Sequence, residues 1–158
     1  MKRDTLSTFS ILSIIFCLFS PPSLCAEVIA ALSDGQTIYV PAYSHIYVGN
    51  DETPTLLTVT ASIRNTDQKH SIKVTKVDYY ETQGTIVKKI IDSAVNLKPL
   101  ESIRYVIPYK DKTGGSGANF IVEWKSDRLV NPPIVETIMI GRQGISFTSR
   151  GQVLVTTE

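Results

Sequence analysis

The sequence has few cysteines, few histidines and almost no net charge, and each of these shortages argues against a class of function. Both cysteines, Cys17 and Cys25, lie within the first 26 residues, so the rest of the chain offers neither a disulfide nor a thiolate ligand. The two histidines, His45 and His70, lack metal-ligand spacing, and no motif predicts a cofactor or a metal. Beyond residue 26 there are 14 basic and 14 acidic residues without a basic run, so nucleic acid is not an expected partner.

The first 26 residues have the pattern of a cleaved secretory signal peptide. Lys2 and Arg3 precede an apolar stretch at residues 9–19, two prolines then break any helix, and Ala26 ends a cleavage site. The apolar stretch is shorter than the about 20 residues that a membrane-spanning helix requires. The sequence therefore predicts an exported protein, periplasmic or extracellular, with no transmembrane anchor after cleavage. An uncleaved leader, or lipidation at Cys25, would instead anchor the protein to a membrane.

A short segment at residues 27–35 leads into a single predicted domain at residues 36–158, where the pattern is that of β-strands. Apolar and polar side chains alternate clearly at residues 57–63, and turn residues recur along the chain. Residues 72–80 change phase, which predicts a β-bulge near Thr75 and Lys76. No stretch of ten or more residues has the apolar spacing of an amphipathic helix.

Later strands follow from the same alternation. A strand whose one face points to the core is predicted by Phe120, Val122 and Trp124. A central strand cannot continue through Asn131-Pro132-Pro133. Three last short strands are predicted by pairs of apolar residues, Ile138/Ile140, Ile145/Phe147 and Val153/Val155. We expect an all-β fold, an antiparallel immunoglobulin-like β-sandwich of about 8–10 short strands, with a small β-barrel as the alternative.

Several separate blocks of sequence stand in the order found in one bacterial family. The blocks are Tyr39-Val40-Pro41, residues 43–47, 63–67, 78–80, 114–124, 136–141 and 144–147. Together they resemble the family called domain of unknown function 3124, over about residues 36–153. The resemblance implies a bacterial exported protein and implies no activity. A shorter stretch, residues 79–84 followed by 97–101, is similar to the strand-turn-strand pattern of immunoglobulin-like export and stress domains.

A glycine-rich loop is the first candidate site. It comprises Gly114, Gly115, Ser116 and Gly117, with Asn119 directly after it. A phosphate-binding loop or a nucleophile elbow would require a helix next, whereas residues 119–124 alternate as a strand. The pattern favours a tight inter-strand loop whose glycines supply positive φ, with backbone N–H groups offered to an anion as the alternative.

A group of rings is the second candidate site. Tyr43, His45 and Tyr47 share one face of a strand if the side chains that alternate with them face the core, and Tyr39 could lie close to them. Exposed rings with polar tips suit the binding of a protein or glycan partner. The alternative is that this face is itself buried.

These patterns favour a non-enzymatic binding or structural module of the bacterial envelope. One alternative is a hydrolase or transferase that uses Ser116, Asn119 and His45 near the glycine-rich loop. Glu123 and Glu136 are candidates for paired hydrolytic carboxylates, or for ion pairs with Lys or Arg. A further alternative is β-augmentation, in which a partner chain pairs with an uncovered edge strand.

Overall fold

The structure is a computed structural model that describes residues 31–49, 52–142 and 144–155. The predicted signal peptide at residues 1–26, with both cysteines, lies outside the described residues, as do residues 27–30 of the segment that follows it. Within the described ranges, no helix has the length and apolar character needed to cross a membrane.

The described residues form eleven β-strands. In chain order they are β1 (Ser33–Pro41), β2 (His45–Ile46), β3 (Thr55–Arg64), β4 (Ile72–Tyr80), β5 (Ile86–Lys89), β6 (Val95–Leu97), β7 (Ser102–Ile107), β8 (Asn119–Val130), β9 (Ile134–Gly141), β10 (Ser146–Arg150) and β11 (Gln152–Val153).

The strands are arranged in two antiparallel sheets. The six-stranded sheet has the order β11-β1-β8-β4-β5, and β6 also pairs with β4. The five-stranded sheet has the order β10-β9-β3-β2, and β7 also pairs with β3. β8 lies between β1 and β4, so its side chains are flanked on both sides along most of its length.

One hydrophobic core lies between the sheets. β8 contributes Phe120, Val122 and Trp124, all almost fully buried, while the residues between them are only half-buried. β3 contributes Leu57, Val59, Ala61 and Ile63 from the other sheet to the same cluster. Alternation with a period of two therefore gives each sheet one apolar face, and burial of these faces against each other stabilises the fold. The predicted all-β, two-sheet antiparallel sandwich is confirmed, whereas its immunoglobulin-like character stays a prediction.

The predicted interruptions also occur. The pairing of β4 with β8 shifts register between Val74 and Lys76, so the bulge near Thr75 is confirmed. Because of this extra residue, Val74 and Val77 both face the core although they are three positions apart. β8 ends at Val130 and β9 begins at Ile134, so the two prolines between them separate strands as predicted.

The last strands are present, but their buried positions differ from those predicted. β9 buries Val135, Thr137 and Met139, whereas Ile138 is half-buried and Ile140 is 51% exposed. The apolar pair Ile138 and Ile140 was misleading because the side of β9 that faces the core is the other one. That side carries the polar Thr137 as well as Val135 and Met139. The Thr137 hydroxyl donates to the Pro41 carbonyl at 2.6 Å, which satisfies the buried oxygen and ties β9 to β1.

In β10 and β11, too, an apolar pattern alone does not identify which residues are buried. Phe147 packs against the core from β10, but Val153 and Val155 are both exposed at the end of the described chain. The chain crosses from one sheet to the other at Gly151, whose N–H donates to the Val135 carbonyl at 2.8 Å. A Cβ at Gly151 would press against the Ile38 side chain, so this crossing requires a glycine.

Candidate functional site

Ser44 fixes one side of the glycine-rich loop. Ser44 is fully buried, its N–H donates to the Gly115 carbonyl at 3.0 Å, and its hydroxyl accepts the Gly115 N–H at 2.9 Å. The Ser44 carbonyl in turn accepts the Leu57 N–H at 2.9 Å, which connects the loop to the start of β3. The loop is therefore joined to the five-stranded sheet through one residue that is remote from it in sequence.

Thr82 fixes the other side of the loop. Its N–H and its hydroxyl both donate to the Gly114 carbonyl, at 2.9 and 3.1 Å, and its hydroxyl oxygen accepts the Gly117 N–H at 3.0 Å. The N–H groups of Gly115 and Gly117 are thus used inside the protein. Two of the donors that an anion cradle would need are already bonded, so these contacts favour the interpretation as an inter-strand loop.

Backbone conformation explains one glycine of the loop, and packing explains another. Gly115 has a φ of 81°, a left-handed conformation that favours glycine, whereas Gly114 and Gly117 do not have positive φ, so the predicted positive φ holds for Gly115 alone. Gly114 is buried, and a Cβ there would overlap the phenol group of Tyr79 and the methyl group of Ala118. The loop therefore lies directly on the core, and its glycines meet requirements of space and backbone conformation.

The three residues of the enzymatic alternative each have different contacts. Ser116 is exposed at the loop tip, and Asn119 is half-buried at the start of β8, paired with Pro41 and Tyr80. His45 has its Nδ1 3.4 Å from the hydroxyl of the buried Ser44. Among the described residues, no side-chain hydrogen bond joins Ser116 or Asn119 to His45.

The candidate ring residues divide into three places. His45 and Tyr47 meet edge to face, with their ring centroids 5.6 Å apart. Tyr43 instead packs against the core and lies 6.3 Å, centroid to centroid, from the ring of Phe147. Tyr39 is half-buried between the core residues Ile38 and Val40, so it faces away from the core on the six-stranded sheet. The structure therefore brings together only two of the four rings.

The short length of β2 explains this division. β2 contains only His45 and Ile46, so strand alternation does not extend back to Tyr43. Ile46 packs against the core, which directs His45 away from it. Tyr47 and Val48 follow with 55% and 51% exposure. We name His45, Tyr47 and Val48 the ring surface; it lies at the edge of the five-stranded sheet, where His45 pairs with Leu56.

The second histidine belongs to a loop junction. The buried carboxylate of Asp67 accepts N–H groups from Lys69 at 2.9 Å, His70 at 2.8 Å and Asn131 at 3.2 Å. The His70 ring lies 3.1 Å from the same carboxylate. Donation from Lys69 contributes most to a pKa of Asp67 lowered to about 2, and the contacts with Asn131 and His70 act in the same direction against desolvation. These contacts indicate a structural role for His70.

The candidate carboxylate pair is separated by the whole sandwich. Glu123 lies in the six-stranded sheet and forms an ion pair with Lys76 at 3.2 Å, which raises the pKa of Lys76. Glu136 lies in the five-stranded sheet and pairs with Arg64 at 3.2 Å. The two carboxylates therefore cannot act on one bond, and the alternative of separate ion pairs is correct. Across residues 31–49, 52–142 and 144–155, no three His, Cys, Asp or Glu side chains are grouped to hold a metal ion.

Sequence patterns pointed to the glycine-rich loop and to the rings but missed Ser44 and Thr82, which hold the loop. Ser44 lies between two of the predicted ring residues, and Thr82 precedes the Gly84 turn. Isolated hydroxyl residues of this kind are common in turns. The only available signal was a polar residue at a position that strand alternation assigns to the core, as at Ser44.

The fold and these contacts define the class of protein: an all-β protein of two packed antiparallel sheets. A hydrogen-bonded glycine loop lies on its core, and the half-buried His45 and the exposed Tyr47 form a ring pair at the sheet edge. The chain belongs to the family described as Protein of unknown function (DUF3124), whose model matches residues 35–154. The predicted family resemblance is confirmed.

Other comparisons add little to this assignment. The chain is similar to a solved structure described as the crystal structure of Thermotoga maritima 1070, with 13% sequence identity and a TM-score of 0.42. The similarity covers 77% of this chain and 96% of the other. The chain has no significant match among curated proteins.

Proposed function

We propose that the protein is a non-enzymatic binding module of the bacterial cell envelope that recognises a protein or glycan partner through the ring surface. The observation that carries the proposal is the edge-to-face contact of His45 and Tyr47, 5.6 Å apart, beside the exposed Val48. Aromatic side chains supply a large contact area at low entropic cost, and they are enriched among the residues that dominate binding energy. The envelope location rests on the signal-peptide pattern of residues 1–26.

A rigid support strengthens the proposal. The residue before the ring surface, Ser44, is fully buried and bonded to Gly115, and Ile46, which lies between His45 and Tyr47 in sequence, packs against the core. His45 is also held by its pairing with Leu56 of β3. Rings that are presented from fixed backbone lose less freedom on binding than rings on a mobile loop, which favours affinity.

Neither alternative function has a comparable observation in its favour. A hydrolase or transferase would need its nucleophile and base in contact, whereas the hydroxyl in contact with His45 is that of the buried Ser44. β-Augmentation favours a long, uncovered edge strand. The edge strand β7 has six residues with Arg104 in its middle, and β5 has four residues that end in Lys88 and Lys89. Charged side chains on an edge disfavour pairing with another strand.

Affinity capture from an envelope extract tests the proposal, with the full chain as bait. A His45→Ala/Tyr47→Ala double variant is compared with a Tyr39→Ala variant, a matched ring on the outer face of the other sheet. We expect the double variant to lose the captured partner and Tyr39→Ala to retain it. Equal recovery by the wild type and the double variant would remove the ring surface from consideration, provided that both unfold cooperatively with similar midpoints.

A further inference from the structure

An open groove lies beside the ring surface at the start of β3. Its volume is about 450 Å³, and its walls come from three separate segments of the chain. Thr55 and Leu56 contribute from β3, Tyr109 and Lys112 from the loop after β7, and Arg142 from the turn after β9. Leu56 pairs with His45 across β2 and β3, so the groove and the ring surface adjoin each other.

The groove carries two positive charges. The guanidinium carbon of Arg142 lies over the ring of Tyr109, 4.9 Å from its centroid. Among the described residues, neither Arg142 nor Lys112 forms an ion pair. The carboxylate next to Lys112 in sequence, Asp111, accepts instead from the N–H of Thr113 at 3.0 Å and from its hydroxyl. Lys112 and Arg142 therefore face the groove without a carboxylate among its lining residues.

The contact with Tyr109 favours the binding of an oxyanion by Arg142. A guanidinium over an aromatic ring is attracted to the ring face, and this contact limits the positions that the long side chain adopts. The N–H groups lie at the edges of the guanidinium plane, and no ion pair among the described residues uses those of Arg142. They are therefore available for the parallel hydrogen bonds that phosphate and carboxylate accept. Lys112 adds a second charge from the opposite loop as a compact donor.

We infer that this groove binds the phosphate group of a small ligand, with Arg142 as the bidentate donor and Lys112 as the second cation. Two positive charges complement a dianionic phosphate better than a monoanionic carboxylate. The inference rests on the proposed binding function and gives the chemical class of one of its ligands. The adjoining ring surface would then contact the remainder of that ligand or its carrier.

Calorimetric titration of the full chain tests the inference with four probes: glucose 1-phosphate, inorganic phosphate, glucuronate and glucose. We expect binding of both phosphates, weaker binding of glucuronate and none of glucose. Because charge-assisted hydrogen bonds contribute about 1.5–3 kcal/mol, Arg142→Met and Lys112→Met should each weaken glucose 1-phosphate binding by about tenfold or more. Arg142→Lys should also weaken it, since a lysine keeps the charge but lacks the planar fork.

Lys110→Met is the matched control, because Lys110 is exposed in the same loop but does not line the groove. Equal weakening by Lys110→Met would overturn the inference, because the affinity would then reflect loop charge alone. Glucose 1-phosphate that binds no better than glucose would also overturn it. The His45→Ala/Tyr47→Ala variant separates the two proposals. If this variant loses the captured partner but keeps its affinity for phosphate, both proposals are supported. If it still captures the partner while Arg142→Met loses phosphate binding, only the proposal for the ring surface is refuted.

Discussion

Gly114→Ala tests whether the glycine-rich loop is a packed structural element. The added methyl group would overlap the Tyr79 phenol and the Ala118 methyl group, both of which are fully buried. Tyr79 has little room to move, because its ring lies 4.8 Å from that of Phe120 and its hydroxyl lies 3.5 Å from the Ala42 carbonyl. Overpacking of this kind costs about 1–3 kcal/mol.

The net effect of Gly114→Ala is smaller than the overpacking cost. Replacing glycine by alanine restricts the unfolded chain, which returns about 0.4–1 kcal/mol. We therefore expect the free energy of unfolding to fall by about 1–2 kcal/mol. Urea unfolding followed by tryptophan fluorescence measures this change, because the single tryptophan, Trp124, lies in the core. The midpoint should fall without a change in the slope.

A double-mutant cycle identifies the cause. Tyr79→Phe removes the hydroxyl that the new methyl group would meet, so Gly114→Ala should cost less in that background, with a coupling energy of about 0.5 kcal/mol or more. Ser116→Ala is the loop control, and we expect a change within about 0.5 kcal/mol because Ser116 is exposed. If Gly114→Ala were as stable as the wild type, or cost the same in the Tyr79→Phe background as in the wild-type background, the steric argument would be refuted.

Two predictions concern pH. The pKa of Asp67 is lowered from 3.8 to about 2. Between these two pH values the unfolded chain is protonated at Asp67 while the folded protein is not, so the contribution of Asp67 to stability is lost as pH falls through that interval. Asp67→Asn should flatten the decline of urea midpoints below pH 5, whereas Asp92→Asn in an exposed loop should not; parallel slopes for both variants and the wild type would contradict this. Burial raises the pKa of Tyr79 from 10.0 to about 12, so the unfolded state releases its proton first and stability falls as pH rises through that interval. Ultraviolet titration should show one tyrosine ionising last, and Tyr79→Phe should remove that step; a wild type without a late step would contradict the assignment.

Local sequence patterns were sufficient for most of the fold because strands bury every second residue. The alternation in β3 and β8 correctly gave the core faces, and the phase change in residues 72–80 correctly gave the bulge. The pattern failed in β9, where Thr137 takes a core position and bonds to Pro41. A polar residue with a buried partner is indistinguishable from a solvent-facing one until the partner strand is known.

The glycine-rich loop was located correctly, but its contacts could not be predicted. Ser44 and Thr82 bond to it from segments 71 and 32 residues away. Neither residue stands in a motif with the glycines, so nothing local indicates that their hydroxyl groups satisfy its backbone. The predicted ring group failed for a related reason. Its geometry assumed a strand at residues 43–47, whereas the bond from Ser44 to Gly115 directs the chain inward before β2 begins.

The groove proposed to bind phosphate also depends on residues that are distant in sequence. Tyr109, Lys112 and Arg142 lie on loops that no sequence motif connects, and they meet because β7 and β9 both pair with β3 and release their chain ends near its start. β2 brings His45 to that same end of β3. A central strand that pairs with three others thus gathers loops from distant segments at one place, while the buried core fixes their spacing. Variation in these loops would alter the lining of the groove with little effect on the sandwich, since few core side chains lie within them.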